Sequence, residues 1–176
     1  YRLRPSGNPD LEHRAQLIGS GAILNEALKA QKLLEERFGV GADVWSATSY
    51  KELHRDALDC QRWNMLHPGE EARVPYITEC LQDAPGVVVA ASDYVKALPE
   101  SVARWVPGRM VTLGTDGFGR SESRAALRDF FEVDARFIAL GALSALAEEG
   151  AVGRDTVKKA IEELEIDPGK PNPRIN

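Results

Sequence analysis

Apolar and polar positions alternate between two periods along this chain, and the alternation predicts its elements. AQLIGSG (15–21) is a short apolar run that ends in a glycine turn, and it predicts a buried strand. In the next run, 22–38, Ile23, Leu24, Ala27, Leu28, Leu34 and Phe38 recur near helical spacing, and Gly39 is placed to end the helix in the left-handed conformation. ADVWSAT (42–48) predicts a second strand. SYKE (49–52) spells a capping box: the Ser49 oxygen accepts from the backbone of Glu52, and Glu52 reaches back. The helix it opens runs toward Cys60, and 62–75, broken by Pro68, Gly69 and Pro75, is expected to be irregular.

A short helix is expected over 76–83. GVVVAAS (86–92) is apolar at successive positions, which predicts a strand buried on both faces. Helix is expected over 93–106 and a fourth strand over 109–115. Three helices follow at about 122–131, 134–149 (Asp134 as N-cap, Gly150 beyond the end) and 155–164. Strands alternating with helices imply a mostly parallel sheet with helices on both faces, a three-layer α/β domain. That domain is expected over 14–166, between an extended lead-in at 1–13 and an extended tail at 167–176.

Composition narrows the function classes. The 176 residues are 43% hydrophobic and 28% charged, a profile of a globular domain with a real core. The net charge of −5, with no basic stripe, argues against a nucleic-acid partner. FIALGALSALA (137–147) falls short of the roughly 20 residues of a membrane span, and the polar opening does not resemble a signal peptide. The absence of an initial methionine suggests a piece of a longer chain. Cys60 and Cys80 are expected to be reduced thiols of a cytoplasmic protein.

Candidate chemistry centres on GTDGFGRS, Gly114 to Ser121. Its spacing is one residue from the phosphate-binding G-x-x-x-x-G-K-[ST], with Arg120 in place of lysine, and VVVAASD, ending in Asp93, imitates the partner strand of such sites. A guanidinium does not replace a compact ammonium at close quarters, the loop follows a late strand, and Asp116 and Glu122 oppose a polyphosphate. A tight turn is the favoured reading. GSG (19–21) fails as a dinucleotide fingerprint because Leu24 stands where the third glycine belongs. His54, His67, Cys60 and Cys80 lack zinc spacing, and there is no G-x-S-x-G elbow. No catalytic, cofactor-binding or metal-binding residue is assigned.

ADVWSATSYKELHRDALDCQRWNMLHP, RVPYITECLQDAPGVVVAASDYVKALPESVARWVP, VTLGTDGFGRSESRAALRDFFEVDARFIALGALSALAEEG and the tail PNPRIN resemble the C-terminal part of the homodimeric bacterial pyruvate dehydrogenase E1 family, of transketolase type. The resemblance runs from about Arg14 to Asn176, and TDGFGRS followed by FEVDA is its most specific string. It implies a third domain with a mixed sheet of about five strands, the fifth falling in the lead-in or the irregular middle. It also implies thiamine diphosphate and Mg²⁺ held by two earlier domains, a homodimer, and acetyl transfer to the lipoyl group of an E2 acyltransferase. The partners it implies are therefore those two domains, the second subunit and E2. Under it this domain organises and dimerises and is inactive alone, with Asp116, Gly117, Phe118, Gly119 and Arg120 at a domain or subunit junction. Docking of the E2 core, and independent nucleotide binding through Gly114–Ser121, are the alternatives.

Overall fold

A computed structural model describes residues 1–175; Asn176, the last residue of the tail, lies outside them. Over these residues the sheet has five strands in the order β1-β3-β2-β4-β5. They are β1 (Arg2–Arg4), β2 (His13–Gly19), β3 (Val40–Ser46), β4 (Val87–Ala91) and β5 (Met110–Leu113). β2 runs parallel to β3 from His13 opposite Val40 to Gly19 opposite Ser46, and parallel to β4 from Ala15 opposite Val87. β5 continues the parallel set beside β4, while β1 pairs antiparallel with β3.

The continuous apolar runs exist because helices cover both faces. Ala15, Leu17, Val44, Val87, Val89 and Ala91 turn to one face. There they meet α1 (Leu24–Phe38), α6 (Ala135–Glu148) and α7 (Arg154–Glu163), with α5 (Arg124–Phe130) at the rim. Ile18, Val88, Ala90 and Trp45 turn to the other, against α2 (Tyr50–Leu66), α3 (Tyr76–Leu81) and α4 (Ala97–Glu100). Each fully buried Val or Leu contributes about 1.5–3 kcal/mol. None of the helices in the described residues is long and apolar enough to cross a membrane.

The caps explain the helix ends. Gly39 has φ 64° and its N–H donates to the Leu34 carbonyl, the left-handed C-cap expected from sequence. Asp134 accepts from the backbone of Arg136 and Phe137, so α6 starts where the pattern placed it. Ser49 accepts from Glu52 N at 3.3 Å, but the Glu52 carboxylate turns to Arg55 at 2.5 Å, and only half of the capping box is formed.

One open expectation is settled and two change. The fifth strand is found in the lead-in, where a three-residue exposed strand carries too short a pattern to be read; Ser46 N donates to Tyr1 O at 2.9 Å to start it. α2 continues to Leu66, through residues expected to be irregular. Nothing before Pro68 breaks it, and His67 stacks on Trp63 one turn back, ring centroids 4.3 Å apart. The loop beyond then folds onto α2: Asn64 exchanges hydrogen bonds with the Arg73 backbone at 2.7 and 2.9 Å. The helix expected over 93–106 splits into α4 and a turn at Ala103–Trp105. Its first residues pair instead with the loop after β5, and the Trp105 carbonyl accepts from the Thr78 hydroxyl at 2.6 Å.

Two buried polar groups tie the layers. Gln16, with no exposed surface, donates to Pro85 O at 2.9 Å and accepts from Trp45 Nε1 at 2.8 Å. Asp43 accepts from Ser6 N at 2.8 Å and Arg14 at 3.0 Å, and pairs with Arg2 at 3.3 Å, so it anchors the lead-in to the sheet. Asp43→Ala leaves Arg14 without its carboxylate. Urea unfolding is expected to show a loss of about 3–5 kcal/mol. An unchanged midpoint would mean that the lead-in is held without Asp43.

Both cysteines are free thiols. Cys60 is buried on α2, and burial together with the nearby Asp56 carboxylate raises its pKa above the ordinary thiol value. A raised pKa means less thiolate at neutral pH, so iodoacetamide is expected to label the half-buried Cys80 before Cys60 at pH 7.5. Equal rates for the two would contradict this.

Candidate functional site

Parallel pairing places the carboxyl ends of β2, β4 and β5 on one edge of the sheet. The chain leaves β2 for β3 over one face and crosses back to β4 over the other, so the edge has a switch point between β2 and β4. Crevices at such points are the usual ligand sites of open α/β sheets. The turn after β2, the loop after β4 and the glycine loop after β5 meet here.

The glycine loop is locked to its neighbours. Thr115 N donates to Tyr94 O at 2.9 Å and the Thr115 hydroxyl to Asp93 O at 2.7 Å. The Asp116 carboxylate accepts from Lys96 N at 2.9 Å. Gly114 is required by close approach, because a Cβ there would lie 2.6 Å from Tyr94 O. Gly117 has φ +98°, and a Cβ would lie 2.5 Å from Pro173 O, so the C-terminal tail lies directly over it. A Cβ at Gly119 would meet nothing within 4 Å among the described residues. Phe118 is 85% exposed at the loop tip. The Arg120 guanidinium lies 4.3 Å over the Phe130 ring and has no carboxylate partner among the described residues.

This geometry departs from a phosphate loop. In such a loop the glycine turn runs straight into a helix. Here Arg120 and Ser121 precede α5, which opens only at Arg124, with Ser123 as its cap to Ala126 N at 3.3 Å. The helix expected from 122 therefore begins two residues later.

The five candidate junction residues, Asp116 to Arg120, are contiguous in one loop, with Asp116 turned inward and Phe118 and Arg120 outward. Sequence reasoning missed what lies beside them. Arg124 and Arg128, one helical turn apart on α5, join Arg120 around a cleft of about 450 Å³. Their spacing of four residues was the available signal. Arg128 is held by Glu26 of α1 at 2.9 Å, and Glu26, 5% exposed, also accepts from Lys29 and from Ala135 N. One carboxylate thus fixes α1, α5 and the start of α6 together.

Tyr94, Val95, Phe118 and Ile175 are large apolar groups more than half exposed, carried by the loops after β4 and β5 and by the tail. His54 and His67 make ring contacts. His67 stacks on Trp63, and His54 lies 5.7 Å from the Trp105 ring. Among the described residues there is no group of three or more His, Cys, Asp or Glu side chains placed to hold a metal ion.

Gly117→Ala forces both a strained φ and a clash with the tail backbone, so the tail is expected to lift. Trypsin should then cut after Arg174, in the tail that lies over Gly117, faster than in the unaltered chain, with little change in global melting. Equal cleavage rates would mean that the tail is not seated by Gly117.

The family model for the transketolase-like TK C-terminal domain matches residues 1–134. The chain is 51% identical over 162 residues to the pyruvate dehydrogenase E1 component of Pseudomonas aeruginosa, covering 92% of this chain and 18% of that protein. It is 49% identical to the same component of Escherichia coli K12, again over 92% and 18%. It is 47% identical to that of Cupriavidus necator, over 98% and 19%. The chain thus spans just under a fifth of the relatives it matches. Among solved structures, a split-gene transketolase, described as an inactive beta4 tetramer, superposes with a TM-score of 0.55 at 19% identity, covering 84% of this chain and 42% of that one. That likeness is one of fold, and it agrees with the five-stranded mixed sheet between helical layers. With the family model covering most of its length, this chain belongs to the transketolase C-terminal domain family.

Proposed function

We propose that this chain is the C-terminal domain of a pyruvate dehydrogenase E1 component, serving assembly rather than chemistry. The observation that carries the reading is its 51% identity, over 92% of its length, to a fifth of a protein of that name. The whole enzyme would decarboxylate pyruvate with thiamine diphosphate and Mg²⁺ bound by other domains. It would then pass the acetyl group to the lipoyl arm of E2, as a cytoplasmic homodimer. This chain's own part is to present its carboxyl-end edge to a neighbouring domain or subunit, with residues 14–166 as the packed unit and the lead-in and tail as straps.

The exposed group Tyr94, Val95, Phe118 and Ile175 supports a buried junction there, since large apolar side chains gathered on one edge are costly to leave in water. Arg120, stacked on Phe130 with its N–H edge open, is placed to meet a carboxylate across that junction. Docking of E2 is the second reading, because the same apolar edge would serve it.

The test is a chimera in which residues 1–176 replace the matching segment of the Pseudomonas aeruginosa protein. The chimera should assemble and turn over pyruvate. In it, Arg120→Ala should weaken assembly or turnover by about 1–3 kcal/mol, the cost of one buried charged hydrogen bond. If dimerisation and turnover stay unchanged while capture of E2 is lost, the docking reading replaces the junction. If nothing changes, Arg120 belongs to the solvated surface.

A further inference from the structure

The assembly role uses Arg120 but gives no purpose to the cleft behind it or to Arg124. It opens at the switch point, between the turn after β2, Asp93 beyond β4, and α5. Its volume, about 450 Å³, is within the range of small-molecule sites. Its wall is apolar, formed by Ile23, Leu127, Phe131 and Val133. Its rim carries Arg120, Arg124 and Arg128 against the single carboxylate of Asp93.

The three arginines are not equivalent. Arg128 is neutralised by Glu26, which fixes its position. Arg120 is steadied by the Phe130 ring, 4.3 Å from its guanidinium carbon. Arg124 makes no hydrogen bond or ion pair among the described residues. Two arginines without an anion partner among the described residues therefore line an apolar cleft, on a chain whose net charge is −5. A guanidinium presents paired N–H donors that match the oxygens of a phosphate or a carboxylate.

We propose that this cleft binds a small organic anion, with a phosphate or carboxylate group held by Arg120 and Arg124 and an apolar body against Ile23, Phe131 and Val133. The mode differs from a phosphate loop, because side chains rather than a ring of backbone N–H groups grip the anion. Arg128 stays paired with Glu26 and is not needed to grip the anion.

The test is calorimetric titration of residues 1–176 at low salt with phenyl phosphate, phenylacetate and inorganic phosphate. One of the two aromatic anions should bind saturably at one site with a dissociation constant of about 1 mM or tighter. Inorganic phosphate should bind more weakly than phenyl phosphate, because it lacks the apolar body. The tighter aromatic probe identifies the head group as phosphate or carboxylate. Arg124→Ala should weaken binding about tenfold or more, one charge-assisted hydrogen bond being lost. Arg124 is exposed, so its melting temperature should hold, and Arg154→Ala on α7 should bind as the unaltered chain does. Raising the salt should weaken the interaction. No saturation by either aromatic anion below about 10 mM, or equal binding by Arg124→Ala, would overturn the site. Neither result bears on the chimera, so failure here and failure of the assembly role are separable.

Discussion

Burial of β2 and β4 on both faces is the constraint on which the rest of this structure depends. Leu17, Val87 and Val89 have no exposed surface, and Ile18 and Val88 are buried on the opposite face. A strand apolar on both sides cannot sit at a protein surface, so helices must lie above and below it. Parallel pairing then follows from the crossovers, one over the α1 face and two over the opposite face. It also sends the carboxyl ends of β2, β3, β4 and β5 to one edge. The switch point, the glycine loop and the arginine cleft are all consequences of that single arrangement.

Few polar groups enter this frame, and those that do are joined at several points. Glu26 holds Arg128, Lys29 and the first turn of α6, Asp43 holds the lead-in, and Gln16 bridges β3 to the turn before β4. A buried carboxylate adds little net stability over an apolar group, but losing one of its partners is costly. Their effect is therefore on arrangement. Glu26 decides where α5 lies, and through it the direction of the arginines that line the cleft.

The glycine loop shows how one string of letters can serve two structures. Its spacing is nearly that of a phosphate loop. What separates them is the position of the next helix, which Ser123 caps only after Arg120 and Ser121 have passed. The inward turn of Asp116 onto Lys96 N and the seat of Pro173 over Gly117 depend on residues 20 and 56 positions away. Local spacing holds no record of such partners.

Read alone, the sequence determined the four parallel strands, the caps at Gly39 and Asp134 and the long helices, because those depend on local pattern and turn chemistry. It also determined the family, through a string shared along most of the chain. Only the tertiary structure decided the rest. β1 exists because Asp43 and Ser46 wait for it, not because RLR prefers to be a strand. α2 passes the expected boundary because Trp63, His67 and Arg73 stack there, with Arg73 4.2 Å over the Trp63 ring. The run at 93–106 breaks because its backbone finds partners in the loop after β5. The cleft required α5 to be swung against the turn after β2 by Glu26, a contact 102 residues long in sequence, and contacts of that range are set by packing.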